Sequence, residues 1–338
     1  MLTTPLIEQI LATIPHKSIG LIGDLFLDRY LDIDPARDEP SIETGLTAYQ
    51  VTRVRSYPGA LGTVMNNLAA LGVGRIEPIA IIGDDGEGYE LRQALHRLPS
   101  VDLCGLVIAP DRRTPTYTKP MYGDRELNRL DIKNRTPTLA NHEDAVVAKI
   151  DAAWSRLDAV IVLDQVSEEN CGVVTTRVRE HLTALCKRSP GKFVLADSRE
   201  QIGTFHNMCI KPNRSEIEKW LGESEPDDFD NLLRLAAEQL QSPVFCTRSD
   251  DGIHVAFPGM KANDIIRVPA YPVTGPIDSC GAGDSCSAAI TAAMVCGLSH
   301  EQAAAFGNLV ASITIQQIGT TGTAIPAQVR GRWRDVTA

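Results

Sequence analysis

No stretch of the 338-residue chain approaches the ~20 consecutive apolar residues that a membrane-spanning helix requires. Basic charge is also scarce, with 33 Lys and Arg against 43 Asp and Glu and a formal net charge of -10. A surface short of positive charge is ill suited to neutralising phosphates, so neither nucleic acid nor an anionic membrane is expected as a partner. The N-terminus lacks a basic region followed by a long apolar run, which argues against a secretory leader and for a cytoplasmic location. Eight cysteines occur without a Cys-x-x-Cys pair or zinc-like spacing to His, and those in apolar helical contexts, such as Cys286 and Cys296, read as reduced core residues. What remains is an ordinary globular composition, 43% hydrophobic and 22% charged, long enough to bury a large core as one large domain or two. A small-molecule partner suits it best.

Short buried-strand runs alternate with helical patterns along the chain. Leu6, Ile7, Ile10, Leu11 and Ile14 recur at helical spacing, and strand-like runs fall at Ile19 to Ile22, Ile79 to Ile82, Ala159 to Leu163, Phe193 to Ala196 and Val244 to Thr247. This alternation predicts an α/β fold with a parallel sheet covered by helices on both faces. Residues 31–57 break the pattern with Pro35, Pro40 and Gly45, and Thr114 to Tyr122 and Leu127 to Ile132 read as strands around a turn at Gly123-Asp124. Both segments predict a small β excursion from the core.

The most informative stretch is Asp278-Ser279-Cys280-Gly281-Ala282-Gly283-Asp284, which opens into an Ala-rich apolar helix. Gly281 and Gly283 allow the backbone to come close to a bound group, and the first N–H groups of a helix suit a phosphate or a developing oxyanion. A carboxylate beside such an anion site is electrostatically unfavourable unless it works as a general base, so Asp284 is the candidate catalytic residue. Capping of the helix by Asp284 is the alternative. Asp24 and Asp28 lie at the carboxyl end of the first strand, where open α/β sheets bind ligands, and either could chelate hydroxyls; Asp28 could equally be a solvated loop acid. Asn213-Arg214-Ser215-Glu216 could offer a carboxamide and a carboxylate to a hydrated Mg²⁺, or form a capping box.

The Asp-x-x-Gly-Ala-Gly-Asp motif and its small-residue helix resemble the signature of the ribokinase, or PfkB, family of sugar kinases. The string Gly23-Asp24-Leu25-Phe26-Leu27-Asp28-Arg29-Tyr30 is similar to a segment of the heptose-7-phosphate kinases within that family. The resemblance, from Gly23 to about Pro326, implies a ribokinase-like single domain over residues 1–338, with a β-sheet lid of about 31–57 and 113–131 that covers the sugar and forms a homodimer contact. Within these 338 residues no room is expected for the nucleotidyltransferase domain fused to some such kinases.

It further implies ATP-dependent, Mg²⁺-requiring transfer to a sugar or sugar-phosphate hydroxyl, with Asp284 as base and the amides of Gly281, Ala282 and Gly283 as anion cradle. Asp24, Asp28, Gly59, Ala60, Thr63, Arg129 and Asp164 would face the sugar, although Arg129 could instead form a surface ion pair. Asn213 and Glu216 would orient the metal, Thr247, Ser249 and Gly252 would border the nucleotide phosphates, and Asn308 would border the adenine or be a polar residue on its helix. Asp278, the backbone near Cys280 and Gly319 would hold a monovalent cation such as K⁺. The sequence departs from the family pattern where Ala60 and Ser249 replace Gly, Thr63 replaces Asn, and Gln165 to Glu168 replace Tyr-Ala-Lys-Gly. These departures leave open another sugar, a nucleoside, or a binding protein without turnover; the retained Asp284 weighs against the last.

Overall fold

The computed structural model of the chain describes residues 1–222, 229–319 and 321–337. Among these, eight strands form the main sheet in the order Ile266–Val268, Ile253–Ala256, Val244–Thr247, Cys209–Ile210, Phe193–Ser198, Ala159–Asp164, Ser18–Gly23 and Arg75–Ile79. From Val244–Thr247 to Arg75–Ile79 every neighbouring pair is parallel, and the two strands beyond Val244–Thr247 are antiparallel. The parallel strands read as unbroken apolar runs because helices cover both of their faces. Along Ala159–Asp164, Ile161 and Leu163 join one apolar cluster with Leu21, Phe245 and residues of the helices Leu61–Leu71, Ala282–Val295 and His300–Thr314. Val160 and Val162 join the other, with Val146, Val178 and Leu233. The two-residue period of the strand therefore shares each strand between two helical layers.

A second sheet of five strands among the described residues stands at one end of the first. Its order is Arg125–Glu126, Thr116–Tyr122, Leu25–Ile33 and Val51–Ala60, with Leu130–Ile132 also paired to Thr116–Tyr122. This sheet begins at Leu25, not at residue 31 where the sequence pattern breaks. Leu25, Phe26 and Leu27 are all buried, so they read as a continuation of the preceding core strand, and only from Asp28 onward does the strand become half-buried.

Asp24, the single residue between the Ser18–Gly23 and Leu25–Ile33 strands, holds this junction together. Its Oδ2 accepts the amides of Gln165 at 2.8 Å and Val166 at 3.1 Å, and its Oδ1 accepts that of Val173 at 2.8 Å. Burial pushes its carboxyl above the usual aspartate range in spite of these three donors. The expected sugar chelation by Asp24 is thus replaced by a structural role, since both oxygens are occupied by main chain about 140 residues away. Asp24→Ala would leave three N–H groups without a partner, that of Val173 buried and those of Gln165 and Val166 half-buried; a loss of about 3–5 kcal/mol is expected, read as a lower midpoint in urea unfolding.

Candidate active site

The Ala282–Val295 helix starts at Gly281, which is its N-cap in left-handed backbone with φ of 76°. Ser285, Cys286 and Ser287 through Ala293 are buried, so the helix entry is fixed by packing and cannot swing. Among the described residues the amides of Gly281, Gly283 and Asp284 donate to no partner, whereas the Ala282 amide is committed to the Ser279 carbonyl at 3.1 Å. The expected cradle therefore loses Ala282 and gains the amide of Asp284 itself. Asp284 is no cap: it lies in the first turn, and among the described residues its carboxylate accepts no hydrogen bond and forms no ion pair. Burial first, and then the Asp197 charge, push its carboxyl up to about 7, with Lys211 and Arg199 opposing. A carboxylate held half-ionised near neutrality and left without partners has the properties of a general base.

Lys211 carries no role in the sequence reading, yet it lies against the turn at Gly283. Its Nζ is 2.9 Å from Asp197 Oδ2 and 3.7 Å from where a Cβ on Gly283 would stand. Burial alone would pull this ammonium down, but Asp197 holds it above the usual lysine range. Ser287 donates to the same Asp197 oxygen at 3.1 Å. The signal in the sequence is a lysine directly after the buried pair Cys209–Ile210, where charge is tolerated only with a partner. A cation and unpaired helix amides at one turn have the chemistry to receive an anion.

On the other side of the cleft, Asp28 is half-buried and accepts no hydrogen bond among the described residues. Burial raises its carboxyl, with Lys119 and Arg129 opposing. Gly59 lies behind it, so close that a Cβ there would sit 2.3 Å from Asp28 Oδ2. Thr63 is buried with its Cγ2 3.3 Å from a Cβ placed on Gly281, so the Leu61–Leu71 helix abuts the catalytic turn. Ala60, where the family pattern has Gly, has φ of 50°, a backbone that favours glycine.

Two other sugar-side expectations are corrected. Arg129 forms a two-pronged ion pair with Asp131 at 2.7 and 2.9 Å and stacks over Tyr117, the surface arrangement that was its alternative. Asp164 is 6% exposed and accepts the Ser198 hydroxyl at 2.7 Å. Burial and then neighbouring Asp24 push it up to about 7, so it is a buried acid behind the cleft. A cavity beside Asp24 is lined by Phe26, Tyr117, Arg112, Lys133, Gln165 and Arg199.

On the nucleotide side, Asn213 and Glu216 form a complete capping box: Asn213 Oδ1 accepts the Glu216 amide at 2.9 Å, and Glu216 Oε2 accepts the Asn213 amide at 2.8 Å. Among the described residues Glu216 Oε1 accepts no hydrogen bond, on a carboxyl that burial raises. No cluster of three metal-ligating side chains occurs among the described residues, so a metal here would be held mainly through water and substrate oxygens. Thr247 ends its strand with its amide on the Pro212 carbonyl, beside Asn213. Gly252 has φ of 82°, and a Cβ would meet the Val268 carbonyl at 2.2 Å, whereas Ser249 is a non-glycine residue at φ of 50°. Asn308 does not offer its amide to a ligand: its Nδ2 donates to the carbonyls of Val268 and Pro269, both at 3.0 Å. Asp278 brings the expected loop together, accepting the amides of Cys280 and Gly319 at 3.0 Å each.

A family model for pfkB family carbohydrate kinases matches residues 25–328. The chain belongs to this family. As a pfkB kinase it is a sugar phosphotransferase, with a ribokinase-like α/β fold. It is 27% identical over 329 residues to the bifunctional protein HldE of Geobacter metallireducens, covering 96% of this chain and 64% of that relative, so it spans about two-thirds of the relative's length. Among solved structures it is similar to Arabidopsis thaliana ribokinase complexed with ribose and ATP, at 16% identity and a TM-score of 0.67 over 94% of this chain and 98% of that one. It is also similar to a candidate ribokinase II from Escherichia coli in complex with ATP and Mg²⁺, at 16% identity and a TM-score of 0.65 over 94% and 99%.

The raised carboxyl of Asp284 makes a prediction about the kinase that needs no substrate. Between the ordinary aspartate value of 3.8 and about 7 the folded state binds a proton that the unfolded state has released, so the wild type loses stability as pH rises through that window. Asp284→Asn escapes this loss. Its stability advantage over the wild type is expected to grow from pH 5 to pH 7 and to level off above at roughly 1–3 kcal/mol, measured by denaturant unfolding across pH.

Proposed function

We propose that this pfkB kinase transfers the γ-phosphoryl group of ATP to a sugar that already carries a phosphate, with D-glycero-D-manno-heptose 7-phosphate as the leading acceptor. The observation that carries the reading is the unpartnered Asp284 carboxylate in the first turn of a helix whose amides and adjacent Lys211 are suited to the transferring group. Asp284 takes the proton of the acceptor hydroxyl as that oxygen attacks phosphorus. The bond to the β-phosphate oxygen breaks, and ADP leaves. Lys211 and the amides of Gly281, Gly283 and Asp284 balance the charge that spreads over the equatorial oxygens. Asp28 and Thr63, on opposite sides of the turn, hold the acceptor. Thr247, Ser249 and Gly252 border the nucleotide phosphates.

The choice of a phosphorylated sugar is supported by the likeness to HldE and by the cations Arg112, Lys133 and Arg199 in the cavity beside Asp24. A sugar phosphate would offer these cations an anionic partner beyond those they already have, the Cys171 carbonyl for Arg112, the Gln165 side chain for Arg199 and Asp131 at 4.0 Å for Lys133, which a neutral nucleoside or fructose would not. Mg²⁺ fits the free Glu216 oxygen with Asn213 beside it as a water-mediated site; when bound it would neutralise the nucleotide phosphates. Each oxygen of Asp278 retains a free lone pair, so the loop of Asp278, Cys280 and Gly319 is suited to K⁺.

Asp284→Asn is expected to lower kcat by about 10²-fold to 10⁴-fold with ATP and the heptose 7-phosphate. The kcat/KM of the wild type should climb as pH rises to about 7 and the carboxyl ionises, and the variant should lack that limb. Unchanged turnover in the variant, or turnover with unphosphorylated sugars alone in a panel, would refute the reading.

The homodimer is proposed through the small sheet, on which Tyr49, Val51, Val54 and Tyr57 are all at least 44% exposed. Val54→Glu should halve the mass measured by light scattering, while a wild type that is monomeric at assay concentration removes the proposal.

A further inference from the structure

Asp28 and Arg29 are neighbours on the Leu25–Ile33 strand, so their side chains leave opposite faces of the small sheet. Asp28 faces the cleft. Arg29 grips the Gly86–Leu95 helix of the main body: its Nη2 is 2.7 Å from Glu90 Oε1, its Nε 3.2 Å from Glu90 Oε2, and its Nη1 3.4 Å from Glu87 Oε1. Ser56, the register partner of Arg29 on the Val51–Ala60 strand, donates to the same Glu90 Oε2 at 2.8 Å. Arg113, just before the third long strand of the sheet, pairs with Glu87 at 2.8 Å and Asp85 at 3.1 Å.

Among the described residues, every ion pair that joins the small sheet and its lead-in at Arg113 to the rest of the chain ends on Asp85, Glu87 or Glu90. The helix bearing them is itself fixed, with Leu91 and Leu95 in the core and Asp85 capping its first turn. A two-pronged guanidinium–carboxylate pair fixes an angle as well as a distance. Arg29 and Glu90 are partly shielded, with side chains 18% and 37% exposed, so solvent screens them less than an open surface pair.

We propose that Glu90, together with Arg29, is a positioning residue for the acceptor: this latch fixes the strand that presents Asp28, and so sets how tightly the sugar is held without touching the chemical step. The inference rests on the reading of Asp28 as an acceptor contact. Asp284, Lys211 and the glycine turn all belong to the main body and do not depend on the latch. Releasing it lets the sheet populate positions in which Asp28 is misplaced, and apparent affinity falls by the fraction of molecules left competent.

The test uses the full chain with ATP and D-glycero-D-manno-heptose 7-phosphate, comparing the wild type with Glu90→Gln, Arg29→Lys and Asp28→Asn. Glu90→Gln and Arg29→Lys are expected to raise the acceptor KM by about tenfold, with kcat within about threefold and the KM for ATP unchanged. The charge-swapped double variant Arg29→Glu with Glu90→Arg should recover most of the affinity. Without acceptor, amides of the Leu25–Ile33 and Val51–Ala60 strands should exchange faster in Glu90→Gln than in the wild type, while those of Ala159–Asp164 stay protected.

If Glu90→Gln leaves the acceptor KM unchanged while Asp28→Asn raises it, the latch is refuted and the site reading stands. An equal loss of kcat for every substrate, with faster exchange throughout the core, would mark Glu90 as merely structural and also refute it. If Asp28→Asn itself has no effect on KM, the premise fails and the inference falls with it.

Discussion

The ammonium of Lys211 and the carboxylate of Asp197, 2.9 Å apart beneath the turn at Gly283, set the electrostatics on which the whole cleft depends. Without the cation, Asp197 and Asp284 would lie together with Arg199 left to oppose their charge. Without Asp197, burial would drive Lys211 towards its neutral form. Together they are close to neutral, which leaves Asp284 in a balance that it can tip by gaining or losing one proton near pH 7. The balance is a product of topology: Asp197 belongs to the end of one parallel strand and Lys211 directly follows the next, so the sheet delivers both to the same edge as the helix entry.

The same edge carries two further acids, and each is accommodated by different physics. Asp24 is buried against three amides, Asp164 is pushed towards its neutral form by burial and by Asp24, and Asp197 is paired with a lysine. In sequence all three look alike, an aspartate closing a short apolar run. What separates them is the identity of the neighbours, and for Asp24 those neighbours are main-chain groups at Gln165, Val166 and Val173. No local pattern encodes contacts at such separation.

This explains which parts of the site were legible in advance. The alternation of apolar runs and helical periods is local, and it specifies the layered parallel sheet. The turn Gly281 to Asp284 is equally local, because a small-residue turn followed by an Ala-rich helix carries its own geometry. Lys211 was missed although its residue type, set against a buried strand end, was a clear sign of a paired charge. Asn308 and Arg129 were open between two roles because a polar side chain on a helix or strand does not reveal whether a carbonyl or an acid lies within reach. At Asn213 and Glu216 the two readings overlap: a box that caps a helix at a strand end also presents one spare carboxylate oxygen at the same edge.

The departures from the family's glycines bear on how far this cleft can have changed. Ala60 and Ser249 both adopt φ of 50°, a conformation that costs an ordinary residue about 1–2 kcal/mol and that glycine takes without strain. A chain free to relax would move these backbones into the common regions. That it does not shows that the surroundings dictate the path: Ala60 lies between a strand paired to Leu25 and a helix packed in the core, and Ser249 lies in a turn closed by the obligatory Gly252. The substitutions therefore add a methyl and a hydroxymethyl group at two places where the surroundings fix the backbone. On the reading proposed above, the methyl of Ala60 bears on which acceptor fits and the hydroxymethyl of Ser249 on how the nucleotide is held, and neither replaces Asp284 or Lys211.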